Sequence, residues 1–325
     1  MKLVTGKSME FIPSSGPHLH ILLNHFPSVG IVVALGLFLA ALYLKNTTLQ
    51  RTSLILFLLL GLLALPTYIS GAAARWAIDG SAGISSALIG AHQDAALLAF
   101  VFLGITGCLS WLALWQYRRT PGLSDWSVLS VLVLGFGIIT LLLMTQAGNI
   151  GGHINHPEIG SAEEVLSSGI ESGQTSLVEA TVLNNPWAWP AMEAAHFIGM
   201  ALGFGVVLLV TLRVLGLASN VPFAAFHRLL PLGLLGFLVN VVTGMFFFIA
   251  DSGRYVAMDG FPPKIILLTI GAVAIIYFTI FDDAWDLGGG DDAPVKAKVM
   301  AGLTILLWSG VIIFGRLLPY YGDGG

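Results

Sequence analysis

The chain carries eight histidines but one cysteine among its 325 residues, so imidazole is its main resource for holding a metal or a cofactor. A neutral imidazole binds iron, zinc or copper through one ring nitrogen while its surroundings hydrogen-bond the other. Seven of the eight (His18, His20, His25, His92, His153, His156 and His196) fall at or beyond the same ends of long apolar segments, and only His227 falls at the opposite ends. His25 and His92 each stand about five residues inside a segment that starts on that side, and at about 1.5 Å rise per residue their rings reach similar depth. Two imidazoles at matched depth, on helices running the same way, can clamp a planar haem from both faces. The expected cofactor is haem b, one per chain or two, with His25 and His92 as the first ligand pair. The glycine at Gly36, on roughly the face of His25, would let a porphyrin approach closely.

His196 stands about seven residues into a later segment and is the candidate for a second site. Its face continues as Gly199 and Gly203, a smooth groove for a flat ring or for a neighbouring helix. The position matching His92 falls near Ala272, in a segment without histidine, so the ligand opposite His196 is left open between His153, His156, Met245 and none. Arg75 and Arg254 stand at equivalent segment exits, where they can pair haem propionates or snorkel to lipid headgroups.

Other chemistries are weaker in the pattern. Glu193-x-x-His196 has the spacing of carboxylate-bridged di-metal bundles, but that chemistry needs a second copy and none exists. His153, His156 and Glu158 follow a Gly-Gly turn and could hold a zinc or copper ion, although two histidines in a polar loop are usually just solvated.

The elements that position these residues follow from composition. The chain is 56% hydrophobic and 10% charged, with mean hydropathy +0.87, too much apolar side chain for one soluble core. With 14 Lys+Arg against 18 Asp+Glu and no basic stripe, nucleic acid is excluded as a partner. Apolar stretches of roughly 20 residues span a bilayer as helices. Eight are predicted, at about 21–44, 53–74, 87–115, 125–148, 189–212, 223–250, 264–281 and 297–318. The fold class expected is all-α integral membrane, two four-helix bundles side by side. Residues 1–150 form the first bundle, 151–188 an acidic loop with Glu158, Glu163, Glu164, Glu171 and Glu179, and 189–325 the second bundle. A short surface helix is allowed within 162–183. No signal peptide is expected, because the polar start runs into a full-length span without a small-residue cleavage site.

Lys and Arg divide eight to six between the two faces, which puts both termini and the acidic loop outside. The halves share short patterns. Ala195-His196-Phe197 matches Asn24-His25-Phe26, and Thr67, Gly71, Arg75 and Asp79-Gly80 match Thr243, Gly244, Arg254 and Asp259-Gly260. A parallel tandem duplication would produce this.

Asn24-His25-Phe26-Pro27-x-x-Gly30, the span holding His92, and the exit Gly151-Gly152-x-Ile154-x-His156-Pro157-Glu158-Ile159 resemble a bacterial four-helix membrane-protein family of unknown function. The resemblance covers roughly residues 18–160. It implies a membrane component of a redox system, similar in architecture to b-type cytochromes. The expectation is therefore a multi-pass b-type cytochrome subunit of the bacterial inner membrane, working with other membrane subunits. It would carry electrons between the quinone pool and an outer redox protein such as a c-type cytochrome, steered by the acidic loop. The alternatives are a haem-free anchor subunit of a larger redox complex and a metal-binding membrane protein. A transporter is disfavoured, because the span centres carry almost no charge.

Overall fold

The structure is a computed structural model that describes residues 15–78, 84–119, 127–156 and 177–321. Its elements in chain order are α1 (Gly16–Leu23), α2 (His25–Leu44), α3 (Thr47–Ile78), α4 (Ser86–Arg119), α5 (Val128–Asn155), α6 (Leu177–Asn184), α7 (Ala188–Val214), α8 (Leu230–Ala250), α9 (Ser252–Ala257), α10 (Phe261–Phe281) and α11 (Val295–Tyr321), with a 3₁₀ turn at Phe223–Leu229. Eight helical segments are long and apolar enough to cross a membrane, and the protein is all-α and multi-pass. In lipid, a helix satisfies its own backbone, and large apolar side chains such as Val128, Leu142, Ile198 and Leu306 face outward without cost.

The first span begins earlier than composition suggests, at Gly16 and not near residue 21. Ser15 caps α1 by accepting from the His18 N–H, and Pro17 occupies the first turn, where its missing N–H costs nothing. His18 and His20 are thereby helical residues of the span and not part of a polar tail. A tight link joins α2 to α3: Lys45 takes the left-handed conformation at φ 51°, and the Asn46 side chain caps α3 by accepting from the Leu49 N–H.

In the first half, α2 packs on α3, α3 on α4, α4 on α5, and α5 back on α2, which leaves α1/α2 and α4 on a diagonal. The second half is less closed. Helix α7 packs on α8 and α11, and α10 on α11, while α4 of the first half packs against both α8 and α10. One apolar core consequently runs through both halves, from Phe38 and Phe57 to Phe248, Phe261 and Ile280.

Three polar ties fasten the halves at different depths. The Trp76 indole donates to Ser252 Oγ at 3.1 Å, the Trp111 indole to Thr279 Oγ1 at 2.7 Å, and Arg118 to the Ile280 carbonyl and the Asp283 carboxylate. Arg213, fully buried at the end of α7, donates to the carbonyls of Val221, Gly288 and Asp291 and so ties two loops to the second half. His227 is held between Trp115 and Trp285.

Candidate functional site

Helix α1 brings His20, not His25, to the interior. His20 Nδ1 lies 3.1 Å from the Thr67 carbonyl of α3 and 3.3 Å from Ser70 Oγ. Its ring rests on Gly71, where an added Cβ would meet Cε1 at 2.9 Å. His92 of α4 repeats the arrangement on α5: Nδ1 lies 2.9 Å from the Ala147 carbonyl, and a Cβ at Gly151 would meet Cε1 at 2.9 Å. In each case the glycine is four residues beyond the accepting carbonyl, one helical turn on, so it lies beneath the ring. His20 and His92 thus sit on diagonal helices of the first bundle, each ring held against the neighbouring helix by the same kind of contact.

The acceptors decide the tautomer. A carbonyl oxygen only accepts, so in the neutral ring the proton must sit on Nδ1 and the lone pair on Nε2. Metal-binding histidines are commonly oriented this way, with the second nitrogen donating to a carbonyl that fixes the ring and raises its basicity.

His25 is placed differently. It is exposed, and its Nδ1 lies 2.8 Å from the Ile21 carbonyl of its own helical turn. Five residues separate it from His20, about 140° around a helix, so the two rings cannot face His92 together. Gly36 is also exposed, with open space where a Cβ would go.

Arg75 is engaged within the fold. Its Nη1 donates to Gln93 Oε1 at 2.6 Å and to Glu179 Oε2 at 2.8 Å, and both members of the ion pair are largely buried. Glu179 belongs to α6, which also packs on α4, α7 and α8. The pair therefore fastens α6 over the end of the first bundle beside His92. Glu179→Gln keeps the shape but removes the charge, and a half-buried charged hydrogen bond contributes about 1–3 kcal/mol. Faster amide exchange confined to residues 177–184 is the expected result; unchanged exchange there would mean that the ion pair does not hold α6.

In the second half, His196 of α7 places Nδ1 2.8 Å from Thr243 Oγ1 on α8. That hydroxyl donates to the Val239 carbonyl at 2.7 Å, so it accepts from the imidazole, and here too Nε2 keeps the lone pair. Thr67 makes the same backbone bond, to Leu63. His20 to Thr67 and His196 to Thr243 are both separations of 47 residues, which makes His20 the counterpart of His196 where the sequence pattern had suggested His25. The tie between Trp76 and Ser252 joins positions 176 apart, the same offset as His20 to His196. The third span of this half carries no histidine; its first turn holds Lys264, whose ammonium lies against α11 at Gly315. Gly199 and Gly203, read as a groove, are filled by the backbone of α8 at Gly236.

The remaining candidates are scattered. His153 lies in the last turn of α5 with Nδ1 buried, His156 caps that helix in an exposed position, and Glu158 lies outside the described residues. Arg254 and Glu193 are exposed. Among the described residues, no group of three or more His, Cys, Asp or Glu is gathered for a metal ion. Residues 157–176 of the acidic segment are outside the described residues; within 162–183 the helix seen is the start of α6.

Comparison of the chain with protein-family models, curated proteins and solved structures finds no match.

Proposed function

We propose that the chain is a membrane b-type cytochrome in which His20 and His92 hold a haem, and that it passes electrons between the quinone pool and a redox partner on the histidine-bearing side. The observation that carries this reading is the pair of ring orientations: two diagonal helices each present an imidazole with Nδ1–H committed to a backbone carbonyl and Nε2 free to bind. That donor set fits a bis-imidazole haem. When bound, the haem supplies a one-electron couple whose potential is set by its axial ligands, burial and hydrogen bonding. The carbonyls of Thr67 and Ala147 orient the rings, and the Arg75–Glu179 pair covers this end of the bundle.

The four-span family resemblance supports a redox role, and the few charges within the apolar spans support life among other membrane subunits. Placement in a bacterial inner membrane, with termini outside and a basic c-type cytochrome drawn to the acidic 151–188 segment, belongs to the same proposal. The test is the visible spectrum of the detergent-purified protein, oxidised and dithionite-reduced, with extracted haem quantified per chain. A b-type reduced spectrum at one haem per chain is expected. Two haems would require a ligand opposite His196; folded protein without haem would favour the anchor or metal-binding reading.

A further inference from the structure

The second bundle repeats the histidine-to-threonine contact of the first, and the third span of that half carries a lysine and no histidine. Lys264 stands in the first turn of α10, the third span of its half, as His92 stands near the start of α4, the third span of the first. Its Nζ lies over α11, 3.4 Å from where a Cβ on Gly315 would be. Among the described residues its ammonium has neither a hydrogen bond nor a carboxylate partner, although it lies within a membrane-spanning segment, where an unpaired charge is costly and points to function. Across the bundle, His196 offers the lone pair of Nε2. An aromatic wall stands beside it: Phe247 lies edge-on to the imidazole at 5.5 Å, and Trp189 is 4.9 Å from Phe247. Both His196 and Lys264 are half-buried, and the next residues of α7, Phe197 and Ile198, face lipid.

The three features specify complementary ligand chemistry. Lys264 donates only, so it needs an acceptor oxygen. Neutral His196 accepts at Nε2, so it needs a hydroxyl donor and repels an anionic oxygen. A phospholipid phosphate would satisfy the first and not the second. A hydroxylated aromatic ring bearing oxygens on opposite edges satisfies both and stacks against the aromatic wall. We infer that His196 and Lys264 form a binding site for the head group of a lipid-soluble quinol, with one hydroxyl donating to His196 Nε2 and the opposite oxygen accepting from Lys264 Nζ. This deepens the proposed function by giving the quinone pool a place on the chain, yet the binding itself does not need a haem.

The probe is a decyl-substituted benzoquinol, titrated anaerobically into the detergent-purified full chain and followed by quenching of tryptophan fluorescence. Saturable binding is expected. Lys264→Met and His196→Ala should each weaken it about tenfold or more, the usual effect of deleting one partner of a charged or buried hydrogen bond. Lys264→Arg should retain most of the affinity, and Thr243→Val, which frees the imidazole to change tautomer, should weaken it less than His196→Ala. Should Lys264→Met fail to fold, the Arg and Thr243 variants still report. His20→Ala and His92→Ala should bind quinol as the wild type does even if they lose haem, so the two proposals fail separately. Absence of saturable binding, or equal affinity in all variants, overturns the site. Phosphatidylglycerol retained in a Lys264-dependent manner without quinol binding also overturns it, in favour of a phospholipid site.

Discussion

Purified His20→Ala and His92→Ala should each lose the low-spin b-type spectrum, while His25→Ala should keep it at wild-type haem content. The geometry makes this a clean comparison. Removing the His20 ring leaves the Thr67 carbonyl with the Ser70 hydroxyl, which donates to it at 2.8 Å, so no buried acceptor is orphaned. His25 is exposed and bonded within its own turn, and its loss should shift stability by no more than about 0.5 kcal/mol, as for most surface substitutions. Gly71→Leu provides a second route to the same outcome. A side chain there would enter the space of the His20 ring, because even a Cβ comes to 2.9 Å, and the histidine would be driven off its carbonyl. Haem loss with Gly71→Leu and His20→Ala together, measured by pyridine extraction against protein, ties the cofactor to this face of α1. A spectrum that survives His20→Ala and disappears with His25→Ala would return the ligand role to His25 and require α1 to be rotated.

The eight spans were legible in the sequence because a bilayer demands long apolar runs and the chain supplies them without ambiguity. The choice between His20 and His25 was not, because it turns on where the first helix starts. Hydropathy places the start at the first unbroken apolar run, near residue 21, which leaves His20 in a polar tail. The signal that corrects it is local: Ser15 followed by Pro17 is a helix-start pattern, and it carries His18 and His20 into the span. Depth alone was an incomplete criterion, since residues five apart differ little in depth and widely in direction. Lys264 is visible in the sequence as a cation at the start of an apolar segment, but that it shares a bundle with His196 depends on how the helices pack. Glu179 as the partner of Arg75 could not be anticipated, because the two stand 104 positions apart and a loop whose path the composition does not set lies between them. The glycines of α7 were visible as a smooth stripe, but whether a ring or a helix fills such a stripe depends on the neighbour, and only the packing decides that.

Replacing Gly236 should have the largest effect on folding of any single change outside the ligand residues. Helices α7 and α8 approach through glycine on both sides. A Cβ at Gly236 would lie 2.6 Å from the Gly203 nitrogen, 2.7 Å from Leu202 Cβ and 2.8 Å from the Gly199 carbonyl oxygen, and a Cβ at Gly199 would lie 2.8 Å from the Gly236 carbonyl. Backbone atoms form most of that wall, so no rotamer change relieves the clash and the helices must separate. In lipid there is little hydrophobic force to hold them, and association depends on the close packing that small residues allow. Overpacking in a tight interior costs about 1–3 kcal/mol and more where backbone must shift, so Gly236→Ala should lower the thermal midpoint in detergent clearly, and Gly236→Leu should yield no monodisperse protein. Gly205→Ala on α7 is the matched control: its Cβ would meet nothing within 4 Å, and alanine is favoured over glycine in a helix interior by about 0.5–1 kcal/mol, so stability should hold or rise. Separation of α7 from α8 also pulls His196 from Thr243, so Gly236→Ala should weaken quinol binding while leaving the His20–His92 spectrum in place. A Gly236→Ala protein as stable as the wild type would mean that α7 and α8 are further apart than 2.6 Å contacts imply, and the His196 hydrogen bond would fall with them.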